Sequence, residues 1–262
     1  HANALGDISA GTTVDSGAAL EIAGSIVSAA EPLTLSGTGI SSGGALRNTA
    51  NDNTFSGPIT LGLAARINSD SGRLTLSSAT AIDEAYGLTF GGAGTITVNT
   101  PINIGANTLT KDGSGSLTLT ASSAQSGATT VSAGALIQNG TNASSAVTVN
   151  GGAFLYGAGQ VAALTVSGRV SAGSASNTVG KLKTAALNFQ DNGILQVEYS
   201  AMSGTAGVDW DLVEASGALT VNAADGSDFV IVLKGSPATL DNTKGWTNAI
   251  VTASSIVSFA TN

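Results

Sequence analysis

Hydrophobic and polar residues alternate along most of this chain in short runs. In each run aliphatic residues take every second position, with Thr, Asn or another residue between them. A period of two places the aliphatic side chains on one face of an extended strand and the polar ones on the other. The pattern therefore predicts many short strands. The clearest runs are residues 33–35, 59–61, 74–76, 88–90, 95–98, 102–104, 117–120 and 147–149.

Clusters of Gly, Asn, Asp and Ser separate the runs and supply turns, because these residues adopt tight-turn conformations at little cost. No window combines a 3.6-residue hydrophobic period with capping residues, and the helix-favouring segment 185–187 is too short to form a helix. The pattern predicts an all-β fold. Two architectures fit it: an antiparallel sandwich or barrel, and a parallel β-helix of stacked coils.

Three features favour the β-helix. Its coils should contain about 20 residues each. The strands are short, and small pieces recur: Gly-x-Leu-Thr-Leu occurs at residues 72–76 and again at 115–119. Aromatic residues are only 4% of the chain, which suits a narrow aliphatic interior. Charged residues are only 10%, and like charges stacked ~4.8 Å apart on successive coils would repel. The predicted interior side chains are Leu35, Ile59, Leu61, Leu74, Leu76, Leu117, Leu119, Val131, Leu136, Val147, Val149, Leu164 and Val166.

Composition removes several classes of function. The chain has 17 acidic and 9 basic side chains, a net charge of −8, which argues against a nucleic-acid partner. It has no Cys, and its one His is His1, so thiolate zinc sites, Cys nucleophiles and His-based triads are excluded. No run approaches the ~18 apolar residues of a membrane span. We expect no cofactor, no catalytic residues and no membrane insertion by this segment.

The block from residue 44 to 136 resembles the autotransporter-associated β-strand repeat. The resemblance rests on residues 45–48, 53–61, 86–95, 109–119 and 129–136. Residues 147–153 and 157–161 resemble the coils that usually follow such a repeat. Two positions depart from the pattern: Gln125 stands where an aromatic is expected, and Ala172 where Pro is usual. Both are details of turns or packing and leave the predicted fold unchanged.

The resemblance implies a right-handed parallel β-helix in the passenger of a bacterial surface or secreted protein. Such passengers are commonly adhesins or stalks, exported through the periplasm, and the repeat itself carries no known chemistry. The expected partner is a surface molecule of a host or neighbouring cell, or another copy of the chain. The chain opens at His1 without Met or an apolar signal core, so we expect a longer precursor that holds the translocator barrel or a sorting tail.

Two segments are expected along the chain. Residues 1–180 should form β-helix coils that include the repeat. Residues 181–262 should continue as wider, less regular coils, with a capping element around 246–259 that covers the last coil. Binding, where it occurs, should use broad Thr, Ser and Asn faces rather than a pocket, because aliphatic side chains fill the interior.

An acidic segment supports an alternative function. Asp209 and Asp211 flank Trp210, so on a strand they would share a face, and Glu214 follows closely. Paired carboxylates can act as acid and base in polysaccharide cleavage, so the alternative is a β-helix carbohydrate-active enzyme that uses this face. No aromatic cluster suited to sugar stacking accompanies the pair. A solvated strand edge is therefore the favoured interpretation.

The same region raises the question of calcium. Residues 191–228 hold seven acidic residues and no Lys or Arg, and calcium takes carboxylate and carbonyl oxygens as ligands. Asp225 and Asp228 come nearest to a ligand run. They match neither the EF-hand loop nor the Gly-Gly-x-Gly-x-Asp repeat, so turn chemistry is favoured and no metal site is assigned.

Overall fold

The chain forms two compact units, residues 1–135 and 136–262. A computed structural model describes residues 4–223, 227–235 and 247–259, except the side chains of 258 and 259. In these ranges the regular structure is β-strand, apart from one short 3₁₀ turn at Ile40–Ser42. The predicted absence of α-helix in the described part of the chain is therefore confirmed.

The first unit contains strands that alternate with tight turns, as the sequence pattern predicts. They are β1 (Thr12–Val14), β2 (Leu20–Ala23), β3 (Leu33–Gly37), β4 (Leu46–Ala50), β5 (Asn53–Phe55), β6 (Ile59–Ser69), β7 (Arg73–Leu76), β8 (Ile82–Asp83), β9 (Leu88–Gly91), β10 (Thr95–Val98), β11 (Ile102–Asn103), β12 (Leu109–Lys111), β13 (Ser116–Leu119) and β14 (Thr129–Val131).

These strands line up in two sheets. One has the order β1-β3-β6-β9-β12-β14, and the other β5-β7-β10-β13. Strands β4 and β8 pair with the long strand β6 of the first sheet, and β2 and β11 pair in turn with β4 and β8. Each strand pairs with strands one coil earlier and later: Leu109 lies opposite Leu88 on one side and Thr129 on the other.

The second unit is built in the same way. Its strands are β15 (Ala135–Gln138, which begins at the division), β16 (Thr141–Asn142), β17 (Val147–Val149), β18 (Phe154–Gly157), β19 (Gln160–Val161), β20 (Ala163–Val166), β21 (Arg169–Ala172), β22 (Lys181–Thr184), β23 (Ala186–Phe189), β24 (Ile194–Glu198), β25 (Leu212–Ala215), β26 (Ala218–Val221), β27 (Val230–Lys234), β28 (Val251–Thr252) and β29 (Ser255–Phe259).

Three sheets form in this unit, with the orders β17-β20-β23-β26-β29, β15-β18-β21-β24-β27 and β16-β19-β22-β25-β28. The strand pairs described in both units are parallel. Antiparallel pairing, which a sandwich would need, is limited in the described residues to isolated bridges such as Tyr199 with Trp210. Each unit is therefore a parallel β-helix, and the predicted all-β solenoid is confirmed.

Alternation decides which side chains fill the interior. In β10 the side chains of Ile96 and Val98 are buried, whereas Thr95 and Thr97 are partly exposed. Every interior residue predicted from the sequence is buried. Burial of apolar surface contributes roughly 25 cal/mol per Å², so these inward rows supply most of the stabilising free energy.

Outward rows carry polar ladders. Thr54, Thr75, Thr97 and Thr118 lie opposite one another on β5, β7, β10 and β13. A threonine stacks on its neighbour without the repulsion that like charges would create. The coils thus combine an aliphatic interior with an outer surface rich in hydroxyl groups.

Coils lengthen through the second unit. Leu164 lies opposite Leu187, Leu187 opposite Leu219, and Leu219 opposite Ile256, so successive coils contain 23, 32 and 37 residues. In the coil from Leu187 to Leu219, residues 199–211 between β24 and β25 lie outside the strands. Trp246 lies outside the described residues, and the predicted boundary at residue 180 and the predicted cap stay predictions.

Removal of an interior side chain tests the core. Leu117 is fully buried opposite Ile96, so Leu117→Ala should lower the free energy of unfolding by about 2–5 kcal/mol through lost burial and a residual cavity. Denaturant unfolding followed by circular dichroism measures this loss. The matched control is Thr118→Ala on the outer row, which should change stability by less than about 0.5 kcal/mol. Equal losses in the two variants would contradict the assigned faces.

Candidate functional site

The three acids singled out by the sequence have separate surroundings. A carboxylate oxygen of Asp209 accepts a hydrogen bond from the backbone N–H of Thr205 at 2.8 Å and closes a turn. Glu214 lies on β25 and forms an exposed ion pair with Lys181 at 3.4 Å. Asp211 is 1% exposed and points to a different set of groups. The predicted shared face does not place the three in one site.

Of the two calcium candidates, only Asp228 lies among the described residues. Asp228 is exposed to solvent, and Asp225 lies outside the described residues. Within the described part of the chain, no group of three or more His, Cys, Asp or Glu side chains is close enough together to hold a metal ion. The acid Asp211 instead belongs to a buried polar cluster.

This cluster comprises Ser171 on β21, Gln196 and Glu198 on β24, and Asp211 just before β25. Asp211 comes back to β24 because the chain turns out after Glu198 and returns, with the backbone N–H of Asp211 donating to the carbonyl of Glu198 at 2.9 Å. Trp210, also buried, closes the loop beside Tyr199, with 6.4 Å between ring centroids. The loop covers polar side chains that would otherwise face outward.

Hydrogen bonds hold the two carboxyl groups together. Asp211 accepts from the backbone N–H groups of Gly180 at 2.9 Å and of Glu198 at 3.1 Å. The hydroxyl of Ser171 is within hydrogen-bonding distance of both carboxyls, 3.0 Å from Asp211 Oδ2 and close to Glu198 Oε2. The amide of Gln196 donates to the other oxygen of Glu198. Both acids are therefore fixed in place.

A count of protons decides the charge of the pair. The Ser171 hydroxyl has one hydrogen and can donate to one carboxylate only. Its contact with the second carboxyl is a hydrogen bond only if that carboxyl carries a proton and donates it to the serine oxygen. Burial, followed by the neighbouring Glu198 carboxyl, raises the pKa of Asp211 to about 8 from its ordinary value of 3.8. Asp211 is therefore the carboxyl that carries a proton near neutral pH.

The pair is enclosed rather than open to substrate. Ser171 is fully buried and Asp211 nearly so, and Glu198 is 6% exposed. A depression of about 560 Å³ lies beside Glu198, lined also by Tyr199 and Lys234. Since Asp211 and Ser171 do not line it, the two-carboxyl arrangement cannot contact a polysaccharide chain in this conformation. The cluster acts as a structural connection between strands.

The first unit contains a second buried polar centre, at the end of β12. Lys111 is 2% exposed and lies on the inward row between Phe90 and Val131. Its ammonium group donates to the carbonyls of Asp112 at 2.6 Å, Gly113 at 3.0 Å and Ala133 at 3.1 Å. Burial lowers the pKa of this ammonium to about 8. Lys111 thus joins the turn after β12 to the turn of the following coil.

Asp112 makes a connection in the opposite direction. Its two carboxylate oxygens accept from both terminal nitrogens of Arg66, at 2.7 and 2.8 Å. Arg66 belongs to β6, two coils before Asp112, and the pair passes over Gly91 of β9. A Cβ atom at Gly91 would lie 1.9 Å from Arg66 Nη2 and 2.3 Å from Asp112 Oδ1. A glycine at this position therefore leaves the space that the ion pair occupies.

Further ion pairs continue this link along the coils. Arg66 also donates to Asn68, whose amide donates to Asp70, and Asp70 pairs with Arg47 at 2.7 Å. Arg47 in turn pairs with Glu21 at 3.0 Å. The sign of the charge alternates along this series, so each charged group stacks beside an opposite one.

Lys111 and Asp112 lie within a recognised sequence repeat. Residues 109–137 match the passenger-associated-transport-repeat family. The match confirms the resemblance to an autotransporter passenger repeat, and it covers the end of the predicted block, including Lys111 and Asp112. Comparison with curated proteins finds no match, and comparison with solved structures finds none.

The repeat bears on location as well as on fold. A passenger repeat of this family implies a secreted or surface protein, and the family is not typically catalytic. Among the described residues, no helix is long and apolar enough to cross a membrane. The chain thus contains, at residues 109–137, a repeat of the kind found in autotransporter passengers.

Sequence reasoning did not find either polar centre as such. The alternation Leu109-Thr110-Lys111 places Lys111 on the same inward face as Leu109. That position was the sign in the sequence that Lys111 is buried. Glu198 gave no comparable signal, because it meets Asp211 only through the return of the intervening loop. Gln125, which replaces the expected aromatic, is fully buried and donates to the hydroxyl of Thr129 at 3.1 Å.

The buried carboxyl pair predicts a dependence of stability on pH. Because the folded pKa of Asp211 is about 8 and the ordinary value 3.8, the folded chain binds a proton that the unfolded chain releases between these values. The stabilisation is complete below about pH 4 and is lost as the pH rises through 8. Thermal unfolding should therefore give a Tm at pH 5 that exceeds the Tm at pH 8.5 by at least about 2–4 °C.

Two variants separate this group from the others. Asp211→Asn removes the titrating proton and should reduce the difference in Tm, whereas Asp209→Asn changes an acid in an open turn and should leave the difference as it is. A variant Asp211→Asn with the full wild-type pH dependence would contradict the assignment.

The passage of the ion pair over Gly91 can be tested by a double-mutant cycle. Gly91→Ala should displace the Arg66–Asp112 pair, and Asp112→Asn should weaken it, so each variant lowers the free energy of unfolding. Since both changes remove one interaction, the two losses should not add, with a coupling of about 0.5–3 kcal/mol. Gly87→Ala is the control, because its Cβ would meet Thr108 only at an ordinary 3.5 Å. Additive losses would show that the pair does not depend on Gly91.

Proposed function

We propose that this chain is a non-catalytic passenger segment that is exported through the periplasm and acts at the bacterial surface as an adhesin or stalk. The observation that carries the proposal is the passenger-associated-transport-repeat at residues 109–137. The parallel β-helix of each unit, with its filled interior, also supports the proposal. The proposed partner is a surface molecule of a host or neighbouring cell, or a second copy of the chain.

The outer surface is suited to contact rather than to chemistry. Outward rows present threonine ladders such as Thr75, Thr97 and Thr118, with few charges between them. Hydroxyl groups both donate and accept hydrogen bonds, so a ladder offers a regular polar surface to a partner. Shallow, repeated contacts of this kind suit adhesion through many weak interactions.

The enzymatic alternative would require an accessible pair of acids. In the second unit the acids that lie together are Glu198 and Asp211, and Asp211 is almost completely buried. Asp209 and Glu214, the other acids of that hypothesis, have separate partners in a turn and an ion pair. The geometry therefore supports a structural role for the acids.

Surface display tests the proposal. The full chain is placed between a signal peptide and a translocator domain, and display on Gram-negative cells is quantified by antibody labelling of intact cells. Displayed chain should make the cells aggregate or bind to host-cell monolayers several-fold above cells with the translocator alone. In the stalk role it should instead hold a terminal epitope accessible to antibody. Either result supports a surface function.

The control for catalysis uses the same displayed protein. Incubation with pectin and alginate should yield no unsaturated products and no new reducing ends, for the wild type as for Asp211→Asn. Degradation by the wild type that disappears in Asp211→Asn would overturn the non-catalytic assignment. A wild-type chain that reaches the surface but neither supports adhesion nor exposes the epitope would overturn the proposed role.

A further inference from the structure

An aromatic and cationic patch interrupts the polar outer surface of the second unit. Phe154 and Tyr156 lie two residues apart on β18, so both rings are on its outward face, while Leu155 between them is fully buried. Arg169 lies opposite Phe154 on the next strand, β21. Corresponding outward positions on β10 and β13 of the first unit are Thr and Ser. The patch is thus a local departure from the surface chemistry of this chain.

The patch has a defined geometry. The Phe154 and Tyr156 rings are nearly parallel, with 5° between their planes and 6.1 Å between their centroids. The guanidinium carbon of Arg169 lies 5.4 Å from the centre of the Phe154 ring, within the range of a cation–π contact. Phe154 and Arg169 line an open depression of about 270 Å³, whose lining also includes Gly151 and Gly168, and Tyr156 lies next to it beside Phe154. Glycines there leave the backbone open to close approach.

The guanidinium of Arg169 is held in place yet has donors to spare. Its Nη1 donates to Gln196 Oε1 at 2.9 Å, and the Gln196 amide is fixed in turn by Glu198 of the carboxyl pair. The Nε–H of Arg169 is buried, so a ligand in the depression would be contacted by the terminal nitrogens of the guanidinium. An arginine whose planar fork is anchored through one nitrogen is preorganised to bind an anion.

The charge around the depression favours an anionic ligand. Arg169 is the one charged side chain that lines it in the described part of the chain, and no acid lines it there. The chain as a whole has a net charge of −8, so this is a cationic position on an otherwise acidic protein. A phosphate or nucleic-acid surface would need several clustered cations, and one arginine does not supply them.

We infer that Phe154, Tyr156 and Arg169 form a binding site for an acidic sugar, a uronic-acid residue of a surface polysaccharide. The C–H face of a pyranose ring packs against the electron-rich face of an aromatic ring, and the sugar carboxylate accepts charge-assisted hydrogen bonds from Arg169. Asn192 at the rim supplies an amide for the ring hydroxyls. The volume suits a single sugar unit of a longer chain. This inference names a partner class for the proposed adhesive function and rests on it.

Titration of the full chain with uronate oligosaccharides tests the site. The probes are the tetrasaccharides of galacturonate, mannuronate and hyaluronan. Calorimetry measures the binding of each. At least one should bind saturably, and the methyl ester of the same oligosaccharide should bind at least tenfold more weakly, because esterification removes the charge and keeps the ring. Absence of binding by all three uronates, or equal binding of acid and ester, would overturn the inference. Tighter binding of a sulfated neutral tetrasaccharide would overturn the carboxylate assignment.

Two matched pairs of variants locate the binding. Arg169→Gln should weaken uronate binding at least tenfold, whereas Arg73→Gln, at an exposed ion pair in the first unit, should not change it. Phe154→Leu keeps an apolar side chain and should weaken binding, whereas Tyr86→Leu, at a partly exposed tyrosine elsewhere, should not. Circular dichroism confirms folding of each variant. Binding unchanged in Arg169→Gln would overturn the site.

The solution experiment is independent of surface display. If the cells adhere but the purified chain binds no uronate, the proposed uronate site is wrong and the adhesive function still stands. If the chain binds uronate but gives neither adhesion nor an accessible epitope, the uronate site stands and the adhesive or stalk role is wrong.

Discussion

Each coil of the two β-helical units packs its inward row of side chains directly on the inward rows of the coils before and after it. Leu74, Ile96 and Leu117 form such a column on three successive strands, all fully buried. A column of this kind removes apolar surface from water at every coil and leaves no space for a polar group that lacks a partner. The outward rows face a second limit, since identical residues stack and like charges would repel. Together these limits account for the scarcity of charged and large aromatic residues.

Where a charge does enter the packed structure, a specific set of groups compensates for it. Three backbone carbonyls from two successive turns accept hydrogen bonds from the Lys111 ammonium in place of water. The carboxyl of Asp211 accepts from two backbone N–H groups, and burial raises its pKa to about 8, so this acid is uncharged near neutral pH. The neighbouring Glu198 carboxyl is held by the side chains of Ser171 and Gln196. Both arrangements also connect segments that strand pairing alone does not join. A buried polar group of this kind stabilises one register of coils against others, because a shifted register would leave it unpaired.

The strands and the interior residues could be predicted from the sequence because both depend on a period of two, which is a local property. The contacts between coils could not, because coil length varies: Val147 lies opposite Leu164 after 17 residues, whereas Leu187 lies opposite Leu219 after 32. Without a fixed period, the partner of a side chain on the next coil cannot be located. Arg169 meets the Phe154 ring of β18 only through the register of β21 with that strand, and the buried carboxyl pair forms only through a returning loop.

The links around the repeat change how coils depend on one another. In a solenoid held by strand pairing alone, each coil contacts only its neighbours, and stability is close to a sum of neighbouring terms. Lys111 depends on the carbonyl of Ala133 in the next coil, and Asp112 pairs with Arg66 two coils back. The segment that matches the passenger repeat is therefore connected internally between its own successive coils by Lys111, and Asp112 joins it to a coil beyond its preceding neighbour. Loss of order in any of these coils removes contacts from the others, so this part of the first unit unfolds more cooperatively than strand pairing alone would make it.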